Sequence, residues 1–265
     1  MSKVSVIMSV YNGSSFLDQC IESVLKQTFT DFEFLIVDDT STDSSLEMIF
    51  SWARKDSRIS VIKNNSNIGL TKSLNKAIEM AKGEYIARID ADDLCYPERL
   101  ERQVAFLESN PNCVLVGSWA EIIDDKNNVL RTVKYPTESV DIKEDLIKYN
   151  PFFHSSIMVR KDALSTVGSY NENFRFAQDY ELYFRLAQKY DLANIPSVLI
   201  KYREIKNSIT GSKNRKQIGF VIKAKSNALH NGQYPKWCYI YLLKSYLAWL
   251  MPVGIKRSLK KPFRS

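Results

Sequence analysis

Three carboxylates, Asp90, Asp92 and Asp93, stand almost side by side after the apolar run Tyr85-Ile86-Ala87-Arg88-Ile89. A short apolar run of this kind reads as a buried strand. In open α/β sheets, ligands bind just beyond the carboxyl ends of the strands. Acids crowded there repel one another unless a cation shares the site. Hard divalent ions such as Mg²⁺ or Mn²⁺ take carboxylate oxygens, and Mg²⁺ commonly combines one or two of them with substrate phosphates. The cluster therefore points to a metal–nucleotide site. Its bland alternative is a solvated turn or a helix cap, since Pro97-Glu98-Arg99 opens a helix just downstream.

Three further groups fit the same chemistry. Ser9-Val10-Tyr11-Asn12-Gly13 ends the first strand and offers a ring and an amide where a base could stack and hydrogen-bond. Val37-Asp38-Asp39-Thr40-Ser41-Thr42-Asp43 ends the next strand. A carboxylate there can accept from a nucleobase N–H, while Ser41 or Thr42 caps the following helix. Phe176-Ala177-Gln178-Asp179-Tyr180-Glu181-Leu182 sets an acid at the start of a late helix. Each has a purely structural explanation: a turn, capping acids, or a complement to a helix dipole. Acids at three strand or loop ends are harder to dismiss together.

These residues need elements to position them. Strands are expected at Val4–Val10, Phe34–Val37, Ile59–Ile62 and Tyr85–Ile89. Between them, Leu17, Ile21 and Val24 recur at helical spacing, as do Leu46, Ile49, Phe50 and Ala53, and Leu70, Leu74, Ala77, Ile78 and Ala81. Leu100, Val104 and Leu107 mark another helix. Strictly alternating strands and helices predict an α/β fold, a mostly parallel, Rossmann-like sheet flanked by helices. After Pro111 the pattern changes. Val114–Ala120 and Val129–Val133 flank the turn Asp124-Asp125-Lys126-Asn127-Asn128 and predict an antiparallel excursion. A helix around Val140–Lys148, a strand at Ser155–Val159, a helix at Asp179–Tyr190 and an extended Val198–Tyr202 follow.

Composition excludes several classes. With 265 residues, 45% hydrophobic and 25% charged, the chain can bury a sizeable core. Four scattered cysteines without a Cys-x-x-Cys pair, and only two histidines, indicate neither a zinc site nor a disulfide framework. No signal-peptide pattern precedes the first strand, so the cytoplasm is the expected compartment.

The net charge of +7 is unevenly spread: from Ile200 onward fifteen Lys/Arg face Glu204 alone, so the preceding residues are net acidic. Lys213–His230 reads as a lysine-rich helix, and Trp237–Val253 is largely apolar and aromatic but interrupted by Lys244 and Ser245. A spanning helix needs about 20 predominantly apolar residues. Aromatics flanked by lysines, with the basic tail Lys256-Arg257-Ser258-Leu259-Lys260-Lys261, fit an interfacial helix on an anionic membrane instead. The alternative is a helix docked on its own domain.

Taken together, the motifs resemble glycosyltransferase family 2, inverting enzymes with the glycosyltransferase A fold. The resemblance runs from about Val4 to Thr210. It rests on Val4-Ser5-Val6-Ile7-Met8-Ser9-Val10-Tyr11-Asn12, Ser23-Val24-Leu25-Lys26-Gln27-Thr28, Val37 to Asp43, Asn67-Ile68-Gly69, Ala87 to Asp93, His154-Ser155-Ser156-Ile157-Met158 and Gln178-Asp179-Tyr180. It implies transfer of a sugar from a nucleotide diphosphate sugar, a UDP-sugar by family frequency, with a divalent metal, Mn²⁺ or Mg²⁺. Ser9, Tyr11, Asn12, Asp39, Asn67, Asp90 and Ala91 would bind the nucleotide, with Tyr11 packing on the base, Asp39 bonding it and Asp90 facing the ribose. Asp92 would hold the metal, with Asp93 beside it. Asp179 would be the catalytic base. His154, Gln178 and Arg203 are candidates for acceptor or diphosphate contacts.

The resemblance divides the chain into a catalytic domain at 1–211, with nucleotide-binding (1–110) and acceptor-binding (111–211) halves, and a basic membrane-associating extension at 212–265. Ser9 stands where many members carry Pro, and Gln178 where many carry Glu. The Gln-x-x-Arg-Trp motif of processive synthases is missing, which implies addition of one sugar at a time. The expected acceptor is a saccharide on a polyprenyl diphosphate carrier at the inner face of the cell membrane, in O-antigen, capsule or exopolysaccharide assembly. No nucleic-acid partner is expected. A sugar nucleotidyltransferase is a rival, but it should carry a Gly-rich phosphate loop where this chain has Tyr11-Asn12-Gly13-Ser14-Ser15. A non-catalytic binder of anionic surfaces is the other rival, and joint retention of Asp39, Asp92 and Asp179 argues against it.

Overall fold

The computed structural model describes residues 2–204 and 214–250. Strands β1 (Val4–Val10), β2 (Phe32–Asp38), β3 (Ile59–Lys63) and β4 (Tyr85–Arg88) pair in parallel in the order β3-β2-β1-β4. Helices α1 (Leu17–Leu25), α2 (Ser45–Lys55) and α3 (Leu70–Met80) connect them. Side chains alternate between two apolar cores. Val4, Val6, Met8 and Val10 enter one core with Phe34 and Ile36, whereas Ile7, Leu35 and Val37 enter the other. Strands covered on both faces must read as near-continuous apolar runs, which is how these read. Helices α1, α2 and α4 (Arg99–Ser109) cover the first face. Helices α3, α5 (Ser139–Leu146), α6 (Lys161–Val167) and α7 (Gln178–Lys189) cover the second.

Beyond β4 the sheet is mixed. β8 (Met158–Arg160) is antiparallel to β4 and to β6 (Cys113–Ile123), and β9 (Asp191–Arg203) runs parallel to β6. The two-residue β5 (Leu94–Cys95) pairs with β9, and β7 (Val129–Val133) folds back on β6 as the turn residues predict. β1, β2, β3, β4, β6 and β9 share one direction, so the sheet is mostly parallel with helices on both faces.

Two elements differ from the sequence-based expectation. Ser155 and Ser156 lie in a 3₁₀ turn, His154–Ser156, rather than in a strand. Their hydroxyls serve Asp90 and the Phe153 carbonyl, and β8 starts only at Met158. β9 begins at Asp191, well before Val198. Pro196 interrupts it, its ring lacking the N–H a ladder needs, and the register with β6 jumps from Ile195 to Val198 at that point.

The C-terminal helices join the second face. Helix α8 (Asn214–His230) buries Ile222, Ala224, Ala228 and Leu229 in the core that α7 also lines. Helix α9 (Tyr239–Leu250) packs on α8 and buries only Leu242. At their contact Lys225 is buried, donating to the Lys148 carbonyl and the Ser245 hydroxyl, and burial pushes its pKa down to about 8. The outer side of α9 is apolar: Ile240, Leu243, Leu247 and Leu250 are exposed, with Tyr239, Tyr246 and Trp249 beside them. Among the described residues no helix is long and apolar enough to cross a membrane. The expected boundary at 211/212 and the basic tail from Lys256 to Lys261 lie outside the described residues.

Candidate active site

Because β1, β2 and β4 are parallel, their carboxyl ends deliver three loops to one edge of the sheet. The loops after β1 and β2 are stitched together. Backbone N–H groups of Asn12, Gly13 and Ser14 donate to Ser41 Oγ, Ser45 Oγ and Asp43 Oδ2. Asn12 Oδ1 accepts from the Thr42 N–H at 2.8 Å. Asn12 and Thr40 both adopt the left-handed backbone region (φ 54° and 60°), a conformation that costs a non-glycine residue about 1–3 kcal/mol and clusters at functional sites. A β-carbon on Gly13 would stand 3.4 Å from that of Ala91, so the β1 loop lies against the acid loop. Ser9 and Ala91 are half-buried, whereas Tyr11 at the mouth is 54% exposed.

Asp39 is buried, and its carboxylate accepts from Asn64 Nδ2 (2.9 Å), the Ile68 N–H and the Gly69 N–H (both 2.8 Å). Asn67, itself exposed, donates to the Asp39 carbonyl. Asp39 therefore organises the 64–69 loop.

The acid loop is built around a buried arginine. Arg88 lies in β4, and its guanidinium forms a two-pronged ion pair with Asp90. Ser155 Oγ completes the triangle, 3.0 Å from Arg88 Nη1 and 3.1 Å from Asp90 Oδ2. Arg99, wholly buried on α4, donates to the carbonyls of Arg88 and Ile157 and fixes the end of β4 from beneath. Arg203 ties the loop from the far side. Its N–H donates to Asp93 Oδ1 (2.7 Å), and its guanidinium donates to the Asp92 and Asp124 carbonyls and to Asn127 Oδ1. Its plane also lies over the Phe16 ring. With these contacts Arg203 is held in the loop framework.

Asp92 differs from its neighbours: its carboxylate meets its own backbone N–H and, among the described residues, no side-chain donor. Burial first, then the neighbouring Asp90 charge, push its pKa up to about 6. Burial and the same two acids push Asp93 well above the ordinary carboxylate range. Ligand oxygens of Asp90, Asp92 and Asp93 come within 4.8 Å of one another, and Asp93 Oδ2 is buried without a partner. An all-oxygen, mutually repelling donor set with an orphaned buried oxygen fits a hard divalent cation.

Asp179 stands at the start of α7, just after Ala177, which adopts the left-handed region at φ 55°. Burial raises its pKa; Asn150 Nδ2, donating to Oδ2 at 2.9 Å, and the Arg88 charge oppose the rise. His154 Nε2 lies 2.7 Å from the Tyr170 hydroxyl, and burial with the Arg88 charge holds the imidazole neutral, its pKa well below the usual value. Gln178 is buried beside Asp179. Arg88 thus acts electrostatically on both the acid loop and the Asp179 corner.

Sequence reasoning missed Arg88, Ser155, Arg99 and Asn150. Arg88 was detectable: a lone charge inside a strand covered on both faces must be paired, and Asp90 two residues on shares its side. Asn150 carries no such signal, since only the fold brings it to Asp179.

The chain thus combines a mostly parallel α/β sheet with an acid cluster after its fourth strand and a desolvated acid at the start of α7. Residues 5–168 match the family model "Glycosyl transferase family 2", and the chain belongs to that family and is a glycosyltransferase. It is 33% identical over 261 residues to the putative glycosyltransferase EpsE of Bacillus subtilis, covering 96% of this chain and 91% of EpsE. It is 35% identical over 203 residues to the amylovoran biosynthesis glycosyltransferase AmsE of Erwinia amylovora, covering 75% of each. The fold is shared with S. aureus TarS 1-349 in complex with UDP-GlcNAc (TM-score 0.73, 18% identity, 98% of this chain and 76% of that one). It is shared equally with the mannosyltransferase PcManGT of Pyrobaculum calidifontis in complex with GDP-Man and Mn²⁺ (TM-score 0.68, 18% identity, 99% and 82%).

Proposed function

We propose that this chain is a metal-dependent inverting glycosyltransferase that moves one sugar at a time from a nucleotide diphosphate sugar to a hydroxyl of a lipid-linked saccharide. The observation that carries the reading is the convergence of Asp90, Asp92 and Asp93 at the end of β4 within reach of the same arginine as Asp179. Asp92, with Asp93 beside it, would hold Mn²⁺ or Mg²⁺. That ion would supply Lewis-acid neutralisation of the diphosphate leaving group. Asp90, locked by Arg88 and Ser155, would face the ribose. Tyr11 is exposed and would pack on the base, and Asp39, which orders the 64–69 loop, would bond it. A uridine nucleotide is the leading donor, supported by TarS, a relative in fold crystallised with UDP-GlcNAc.

In the transfer step, the acceptor oxygen attacks the anomeric carbon as the bond from that carbon to the diphosphate oxygen breaks. The attacking hydroxyl's proton goes to the Asp179 carboxylate. The Asn150 amide orients that carboxylate, and its burial makes it a stronger base than an exposed Asp. Family membership and the name of AmsE support a role in polysaccharide synthesis. The outward apolar side of α9 among a surplus of C-terminal lysines supports peripheral docking on an anionic membrane, where a polyprenyl-linked acceptor resides.

The test is nucleoside diphosphate release from a panel of nucleotide sugars, with Mn²⁺ or Mg²⁺ and with EDTA, in the presence of a membrane-lipid extract as acceptor source. Turnover of one donor, abolished by EDTA, is expected. Absence of both turnover and metal-dependent nucleotide binding across the panel would overturn the reading.

A further inference from the structure

Four aromatic rings form a continuous strip that neither core absorbs. Tyr202 contacts Phe153 at a centroid distance of 5.2 Å, Phe153 contacts Tyr135 at 5.0 Å, and Tyr135 contacts Tyr149 at 6.1 Å. None of the four belongs to either buried apolar cluster. Tyr202, Phe153 and Tyr135 are half-buried and Tyr149 is exposed, so the rings line a surface rather than fill an interior. Both ends of the strip are chained to the chemistry. Tyr202 adjoins Arg203, whose N–H holds Asp93, and Tyr149 adjoins Asn150, whose amide holds Asp179. Phe153 precedes the 3₁₀ turn whose Ser155 grips Asp90. Beneath the strip, Trp119 Nε1 donates to the Tyr135 carbonyl, and the Lys134 ammonium caps the Trp119 ring.

We infer that this strip is the acceptor-saccharide subsite, a stacking surface for pyranose rings leading to Asp179; the inference rests on the transferase reading above. A pyranose presents a face of C–H bonds bearing slight positive charge, and an aromatic ring presents a negative face. The two stack, while the sugar hydroxyls at the rim stay free to bond or react. A row of tilted rings, each set about one sugar unit from the next, suits an oligosaccharide end better than a flat nucleobase. The base has its own place at Tyr11, on the nucleotide side of the sheet. The strip offers ring faces to the acceptor, and its Tyr149 end adjoins Asn150, whose amide holds the Asp179 carboxylate.

The experiment uses the full chain with UDP and Mg²⁺ and methyl pyranosides of gluco, galacto, manno and 2-acetamido-gluco configuration, followed by saturation-transfer NMR. At least one pyranoside should receive saturation, strongest at the C–H protons of one face. Tyr135→Leu and Phe153→Leu keep bulk but lose the ring, and each should weaken that pyranoside about fivefold to tenfold. Tyr135→Phe should retain it. UDP affinity by calorimetry reports the other end of the site and the integrity of the fold. If no pyranoside responds in the wild type, or if the signal survives both leucine variants, the subsite is not here. Loss of UDP affinity in parallel with the sugar signal would mark the strip as structural and overturn the inference equally. Failure of UDP to bind the wild type is a separate result, which counts against the donor reading and is scored apart from the pyranoside signal.

Discussion

The acid loop at 90–93 and the corner around Asp179 are both acidic, but they are held by opposite means. Cations wire the loop: Arg88 clamps Asp90, Arg203 spans the backbone of Asp92 and the side chain of Asp93, and Arg99 braces the strand beneath. At the corner, among the described residues, no arginine or lysine hydrogen-bonds Asp179; burial governs it, opposed by backbone N–H groups, the Arg88 charge and a neutral amide. The contrast matches the division of labour expected of a leaving-group site and a proton acceptor. Charges that must meet a diphosphate are kept close together by fixed cations. The group that must take a proton is instead desolvated, which raises its affinity for that proton.

The largest break in this comparison should come from Asp179→Asn. On the proposed mechanism it removes the proton acceptor and nothing else of similar size, so kcat should fall about 10²–10⁴-fold in the nucleoside diphosphate release assay. The same substitution should not destabilise the protein. Burial raises the folded-state pKa above its unfolded value, so ionising Asp179 costs stability as pH rises from the ordinary carboxylate range through that raised value. Asparagine removes the cost, and its Tm at pH 7 should equal or exceed that of the wild type.

Arg88→Ala attacks the other region. It leaves Asp90 without its buried partner, and breaking such a pair costs about 3–5 kcal/mol. Thermal denaturation should show a Tm lower by roughly 10 °C for a domain of this size. Arg88→Lys should lose less, because the charge stays while the two-pronged geometry is lost.

The smallest effect sharpens the account. Asn150 donates to the ionised form of Asp179 and opposes the rise that burial causes. Asn150→Leu should therefore move the acid limb of the kcat–pH profile to higher pH, and a limb that stays in place or moves down would assign the base elsewhere.

The N-terminal half was legible in the sequence because its signals are local. Apolar runs between helical repeats dictate a parallel order, and Asp90, Asp92 and Asp93 follow one such run directly. Asp179 stood out as an acid at the start of a late helix, but its role as a base came only through resemblance. Asn150 reaches that acid from a separate loop, and no spacing rule links residues so distant along the chain. The reach of Asp39 and Arg203 was also hidden. Their types suit ligand contacts, yet their nearest partners are backbone groups of loops that only the folded sheet brings close. Helix α9 shows the reverse case. Its apolar character was plain from composition, but only packing reveals that it turns the greater part of that surface outward.

The central claim is that the acid loop binds the donor's diphosphate through a metal while Asp179 acts only in transfer. Calorimetric titration of UDP with and without Mn²⁺, on the wild type, Asp92→Ala and Asp179→Asn, tests it most directly. The account predicts Mn²⁺-dependent affinity in the wild type, its retention in Asp179→Asn and its loss in Asp92→Ala. Retention in Asp92→Ala, or loss in Asp179→Asn, would contradict it.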